Sequence, residues 1–95
     1  MNGMDERLAA LGARFVEQAI ESADAIEACL ARRAWAELAI PCHSLAGRAG
    51  MFDHASIGDA ARAVEEAIDA KAAPGEIERL TAVLLDRLNG LRHDR

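Results

Sequence analysis

The sequence predicts an all-α protein, an antiparallel up-and-down four-helix bundle built by residues 1–95 as a single domain. Alanine, the strongest helix former, supplies 22 of the 95 residues. Four segments repeat apolar residues at intervals of three and four, which is the period of a helix with one buried face. The breaks between these segments are only a few residues long, as expected for helices that neighbour each other in a bundle.

The first helix is expected to begin near Asn2, whose side chain can cap it, and to run without a strong breaker to about Arg32. Its predicted apolar stripe is Leu8, Leu11, Phe15, Ala19, Ile26 and Leu30. A second helix follows after a tight connection and carries Trp35, Leu38, Cys42, Leu45, Ala49 and Phe52. Pro41 removes one backbone hydrogen bond inside this helix, which predicts a bend and not an end.

The third helix is predicted to begin at Ser56, with Asp59 completing a capping box. Its apolar positions are Ile57, Ala61, Val64 and Ile68. Its acidic residues Asp59, Glu65, Glu66 and Asp69 are interpreted as a solvated face, with the alternative that Glu65 orients a neighbouring residue that the sequence does not identify. The fourth helix is predicted to begin at Pro74 and to end at Asn89-Gly90. Its stripe is Ile77, Leu80, Leu84 and Leu88.

Charge and composition bear on the class of partner and on location. Eleven basic and sixteen acidic residues give a net charge of −5, which disfavours nucleic acid and anionic membrane surfaces as partners. The sequence has no apolar run of membrane-spanning length, and its first residues lack a signal-peptide pattern, so we expect a cytoplasmic protein. Cys29 and Cys42 are expected to be reduced and buried.

His43 does not fit the buried stripe of the second helix. On a helical wheel it points about 140° away from that stripe and therefore toward solvent. The residues around it are small (Ala39, Ala46, Gly47 and Gly50), and the flanking ones are apolar (Ile40 and Met51). Because an interior glycine costs a helix about 1 kcal/mol relative to alanine, we interpret this face as a place where another molecule approaches an exposed imidazole. The alternative is an ordinary surface histidine beside small residues that serve close helix packing.

The stretch H-S-L-A-G-R-A-G-M-F-D, residues 43–53, with Ile57, Ala60, Val64 and Glu65 downstream, resembles the histidine-containing phosphotransfer (HPt) domain of multistep phosphorelays. The family pattern is H-x-L-K-G-x-x-x-x-x-G, and the motif-bearing region is about a quarter of the chain. Two positions depart from it. Ala46 stands in place of a lysine near the phosphoryl group, and Asp53 stands in place of a glycine. Arg48 is a candidate substitute for the lysine, although it lies about 140° from His43 on the helix.

The resemblance implies a phosphocarrier that is not an enzyme and has no nucleotide site. His43 would carry a phosphoryl group between receiver domains of response regulators or hybrid histidine kinases, whose own Mg²⁺ would assist the transfer. The chain itself is expected to need no cofactor or metal and to be a monomer. The implied phosphoryl environment is Ala46, Gly47 and Arg48, and the implied partner-binding residues are Ala39, Ile40, Ala46, Gly47, Gly50 and Met51.

Three alternatives compete with this interpretation. A metal site from Cys42, His43 and His54 is disfavoured because Cys42 faces the core while His43 faces out. A non-catalytic HPt-like adaptor would bind receivers without carrying phosphate, and the missing lysine keeps this reading open. Homodimerisation is weaker because one chain already supplies four helices.

Overall fold

The computed structural model describes residues 3–93, and the side chains of residue 3 and residues 6–93. Its four helices are α1 (Gly3–Arg32), α2 (Trp35–Ala49), α3 (Ala55–Asp69) and α4 (Pro74–His93), with a 3₁₀ turn at Gly50–Phe52. Each helix packs against the next along the chain, and α4 closes the bundle against α1. The predicted all-α, up-and-down four-helix bundle is confirmed.

The core is formed by one stripe from each helix. Its largest fully buried apolar side chains are Phe15, Ile26, Leu38, Leu84, Leu88, Val64 and Cys42. Thr81 is also fully buried, and its hydroxyl donates to the carbonyl of Ile77 at 2.7 Å, so this polar group is satisfied within its own helix. Cys29 and Cys42 are buried and unbridged, as predicted.

The N-terminal third of α1 extends beyond the core. A helix of 30 residues is about 45 Å long, twice the length of α2 or α3. Among the described side chains of α1, Phe15 is the first that is buried, whereas Leu8 and Leu11 remain 54% and 43% exposed. Their predicted core positions are therefore wrong, because the neighbouring helices are too short to cover them. The predicted cap, Asn2, lies outside the described residues.

The connection between α2 and α3 differs in two ways from the prediction. First, α2 passes through Pro41 as expected but ends at Ala49. The 3₁₀ turn follows, and Asp53 after it has a left-handed backbone conformation with a φ of 63°. Second, α3 begins at Ala55, not Ser56, because the carbonyl of His54 accepts the first helical hydrogen bonds. No side chain caps it; the His54 ring stacks against Phe15 with ring centroids 5.5 Å apart.

Helix α4 begins at Pro74 as predicted, but the predicted stop at Asn89-Gly90 is wrong because the helix runs to His93. Beyond the glycine, Leu91 packs against the core and Arg92 reaches α1, where Nη2 lies 3.7 Å from Asp24 Oδ1. These tertiary contacts outweigh the local preference of Asn-Gly to end a helix. Within the described residues, none of the helices is both long enough and apolar enough to cross a membrane.

Candidate functional site

His43 lies on the solvent side of α2, between the buried residues Cys42 and Leu45. Its side chain is 79% exposed, which confirms the direction predicted from the helical wheel. Because the ring is held above the helix surface, a macromolecule can reach it without opening the bundle.

Glu65 of α3 holds one nitrogen of this exposed ring. His43 Nδ1 and Glu65 Oε2 are 2.5 Å apart, and the Glu65 side chain is only 31% exposed. Glu65 therefore does not belong to a solvated acidic face; it faces α2, and the alternative that it orients a neighbouring residue is confirmed, with His43 as that residue. Since a carboxylate accepts hydrogen bonds, the pairing favours the tautomer in which Nδ1–H donates to Glu65 and the lone pair lies on Nε2. Among the side chains that the structure describes, none forms a hydrogen bond with Nε2.

The glycines near His43 have no role in internal packing. A methyl group added at Gly47 or Gly50 would meet nothing within 4 Å. The close-packing explanation applies instead to Gly58 of α3, where an added Cβ would lie 3.2 Å from Cβ of Ala49 and 3.7 Å from the carbonyl oxygen of Ala46. Gly58 thus lets α3 approach α2 closely, while Gly47 and Gly50 leave helix backbone open beside the imidazole.

The remaining predicted site residues fall on two sides of His43. Ala39 and Ala46 are half-buried on the side of α3, whereas Ile40 and Met51 are 70% and 76% exposed. Arg48 is directed toward α1, where its guanidinium carbon lies 5.9 Å from the centroid of the Phe15 ring. The structure does not bring Arg48 to the side of His43 that faces Glu65.

An open groove of about 620 Å³ runs beside the His43–Glu65 pair. Its lining comes from α2, α3 and the turn that follows α3: Ala39, Arg62, Glu65, Glu66, Ile68, Asp69 and Lys71. Beneath it, burial raises the pKa of the Cys42 thiol to about 12, with a smaller contribution from the negative charge of Glu65. Cys42 is therefore a protonated core residue at neutral pH and does not act as a nucleophile.

The residues considered as metal ligands do not form a site. Cys42 is buried and His54 packs against Phe15, while His43 is paired with Glu65. Across residues 3–93, no group of three His, Cys, Asp or Glu side chains is arranged to hold a metal ion.

No family model, curated protein or solved structure matches this chain. The functional argument therefore rests on the geometry around His43.

Proposed function

We propose that this protein is a cytoplasmic phosphocarrier that accepts a phosphoryl group on Nε2 of His43 from the phosphoaspartate of a receiver domain and passes it to another receiver. The observation that carries the proposal is the pairing of an exposed imidazole with a half-buried carboxylate through Nδ1. This pairing orients the ring and favours the tautomer whose lone pair is available at the surface.

In the transfer step, the Nε2 lone pair forms a bond to phosphorus while the bond between phosphorus and the receiver's aspartyl oxygen breaks. The electron pair of that bond leaves with the carboxylate. The product ring carries Nδ1–H and Nε2–P and is positively charged, and the Glu65 carboxylate 2.5 Å away stabilises this charge. The reverse sequence returns the phosphoryl group to a second receiver. The receiver's own Mg²⁺ would neutralise charge on the transferring group.

The surface around the ring suits close docking. Gly47 and Gly50 present bare backbone, and Ile40 and Met51 offer exposed apolar contacts. A receiver that packs on these residues would align phosphorus with Nε2 and exclude water from the reacting atoms. The HPt-like pattern of residues 43–53 supports the same class of partner.

The test uses a panel of purified phosphorylated receivers, each mixed with wild type, His43→Ala or His93→Ala. His93 is an exposed residue at the end of α4 and provides the matched control. We expect acid-labile phosphate, measured by intact mass, on wild type and His93→Ala but not on His43→Ala. If no receiver labels wild type while receiver binding persists in His43→Ala, the adaptor reading replaces the phosphocarrier.

A further inference from the structure

The phosphoryl group proposed for His43 would carry about two negative charges at neutral pH, and no cation on α2 is placed to meet it. Ala46 has no charge, and the Arg48 guanidinium lies over Phe15. The groove beside His43 also contains the acidic residues Glu66 and Asp69, whose charges repel a phosphoryl group. The groove also holds two cations, Arg62 of α3 and Lys71 in the turn that follows α3.

The register between α2 and α3 favours Arg62, because Lys71 comes six residues after Glu65 and therefore lies beyond the level of His43. Two contacts fix how the antiparallel helices align: Gly58 lies against Ala49, and Glu65 pairs with His43. As the chain advances along α3 from residue 58 to residue 65, its partners on α2 run back from residue 49 to residue 43. Arg62 lies between these two points on α3, and its level on α2 is that of Ala46. It thus lies across from the position where the HPt pattern has its lysine.

Arg62 also faces the correct side of α3. It precedes Glu65 by three residues, so the two side chains lie on neighbouring positions of one helix face, and both line the groove. Along the axis of α3, Arg62 and Glu65 are about 4.5 Å apart, a distance within the reach of an arginine side chain. Ala46 opposite has only a methyl side chain.

The ion pair that Arg62 forms within α3 is weak. Nη1 of Arg62 lies 3.9 Å from Oδ1 of Asp59, and the two side chains are 56% and 73% exposed. An ion pair so long and so exposed contributes little, whereas an arginine on a phosphoryl group forms charge-assisted, often bidentate hydrogen bonds. Exposed side chains change rotamer within nanoseconds, so the exchange from Asp59 to the phosphoryl group has no structural obstacle.

We propose that Arg62 binds the phosphoryl group on His43 and replaces, from α3, the lysine that is absent at position 46. This inference rests on the proposed function of His43. It assigns a catalytic contact to a residue outside the 43–53 motif, on the helix that also supplies Glu65.

The experiment compares wild type, Arg62→Ala and Arg62→Lys, with Arg79→Ala as the control. Arg79 is similarly exposed and also pairs with an acidic residue three positions away, so its loss changes net charge equally. Two donors are used: a phosphorylated receiver, and phosphoramidate, which phosphorylates histidine without a protein partner and releases ammonia. We expect Arg62→Ala to be labelled roughly tenfold to hundredfold more slowly by both donors, Arg62→Lys to be intermediate, and Arg79→Ala to match wild type.

A direct readout separates contact from a structural effect. In ¹⁵N NMR of wild type phosphorylated by phosphoramidate, the Nε resonance of Arg62 should shift on phosphorylation, while that of Arg79 should not. Unchanged labelling rates in Arg62→Ala, or an unmoved Arg62 resonance, would overturn the inference and leave the phosphocarrier function intact. Labelling by phosphoramidate but by no receiver would overturn the relay function alone. Failure of both donors on wild type would overturn both proposals.

Discussion

Replacement of Glu65 tests how the structure prepares His43 for chemistry. The two side chains share one hydrogen bond of 2.5 Å, between Nδ1 and Oε2. In Glu65→Ala the ring loses its only described protein partner, so the Nδ1–H tautomer is no longer favoured over the Nε2–H tautomer. In Glu65→Gln the amide oxygen still accepts the Nδ1 proton, but the negative charge is lost.

The magnitude follows from the strength and exposure of this bond. A hydrogen bond to a charged group contributes about 1.5–3 kcal/mol when protected from water, and an exposed ion pair contributes about 0.2–1 kcal/mol. With Glu65 31% and His43 79% exposed, we take a value between these ranges, about 1 kcal/mol. That energy corresponds to a change of about fivefold in the tautomer ratio and in the rate of phosphotransfer.

Two measurements check this prediction. The ¹⁵N chemical shifts of the His43 ring at a pH where it is neutral report which nitrogen carries the proton. Phosphotransfer from a phosphorylated receiver reports the rate. We expect the lone pair on Nε2 in wild type, a shift toward Nε2–H in Glu65→Ala, and transfer about fivefold slower. Glu65→Gln should retain the tautomer but still lose rate, which separates orientation from charge.

The matched control is Glu66→Ala, which removes an exposed carboxylate from the same groove without touching the ring. If Glu65→Ala leaves both the tautomer and the transfer rate at their wild-type values, the argument that Glu65 prepares His43 is refuted. Equal losses in Glu65→Ala and Glu66→Ala would refute it as well, because the effect would then be one of general charge.

Two further predictions concern stability. Gly47→Ala should raise the thermal unfolding midpoint by roughly 4–8 °C, since its methyl group meets open space and alanine favours the helix by about 1 kcal/mol. Gly58→Ala should give a smaller gain or a loss, because its Cβ would lie 3.2 Å from that of Ala49; equal gains, measured by circular dichroism, would contradict this. Because burial raises the Cys42 pKa to about 12, the folded state keeps a proton that the unfolded chain loses above about pH 8.5. The free energy of unfolding should therefore fall between about pH 9 and 12, by up to about 1.4 kcal/mol per unit; urea titrations should show a shallower decline in Cys42→Ala, and identical slopes would disprove it.

The helix count, the start of α4 at Pro74 and the outward direction of His43 follow from local sequence. These features depend on periodicity and on the backbone restrictions of proline, both of which act within a few residues. The ends of the helices were predicted less accurately from local sequence. The Ser56 capping box and the stop at Asn89-Gly90 were wrong because His54 packs on Phe15 and because tertiary contacts extend α4. Local preferences of about 1 kcal/mol lose to such contacts.

The pairing of His43 with Glu65 could not be predicted from either helix alone, because it depends on how α3 is aligned along α2. Nothing in the pattern of apolar residues distinguishes one alignment from another shifted by a turn. The signal that could have found it is Gly58, a glycine at a buried helix position with no turn to explain it. A glycine there indicates a close crossing, and the crossing fixes the alignment.

The same crossing connects the fold to the chemistry. Contact between Gly58 and Ala49 brings the backbones of α2 and α3 close together. One and a half to two turns away from this contact, the Glu65 carboxylate can therefore reach the imidazole of His43. A larger residue at position 58 would meet Cβ of the core residue Ala49, push α3 away from α2 and lengthen the hydrogen bond between Nδ1 and Oε2. Small residues therefore serve two different purposes on this surface. Gly58 lets α3 approach α2, which positions Glu65 beside His43. Gly47 and Gly50 leave the solvent side of α2 next to His43 open to a partner.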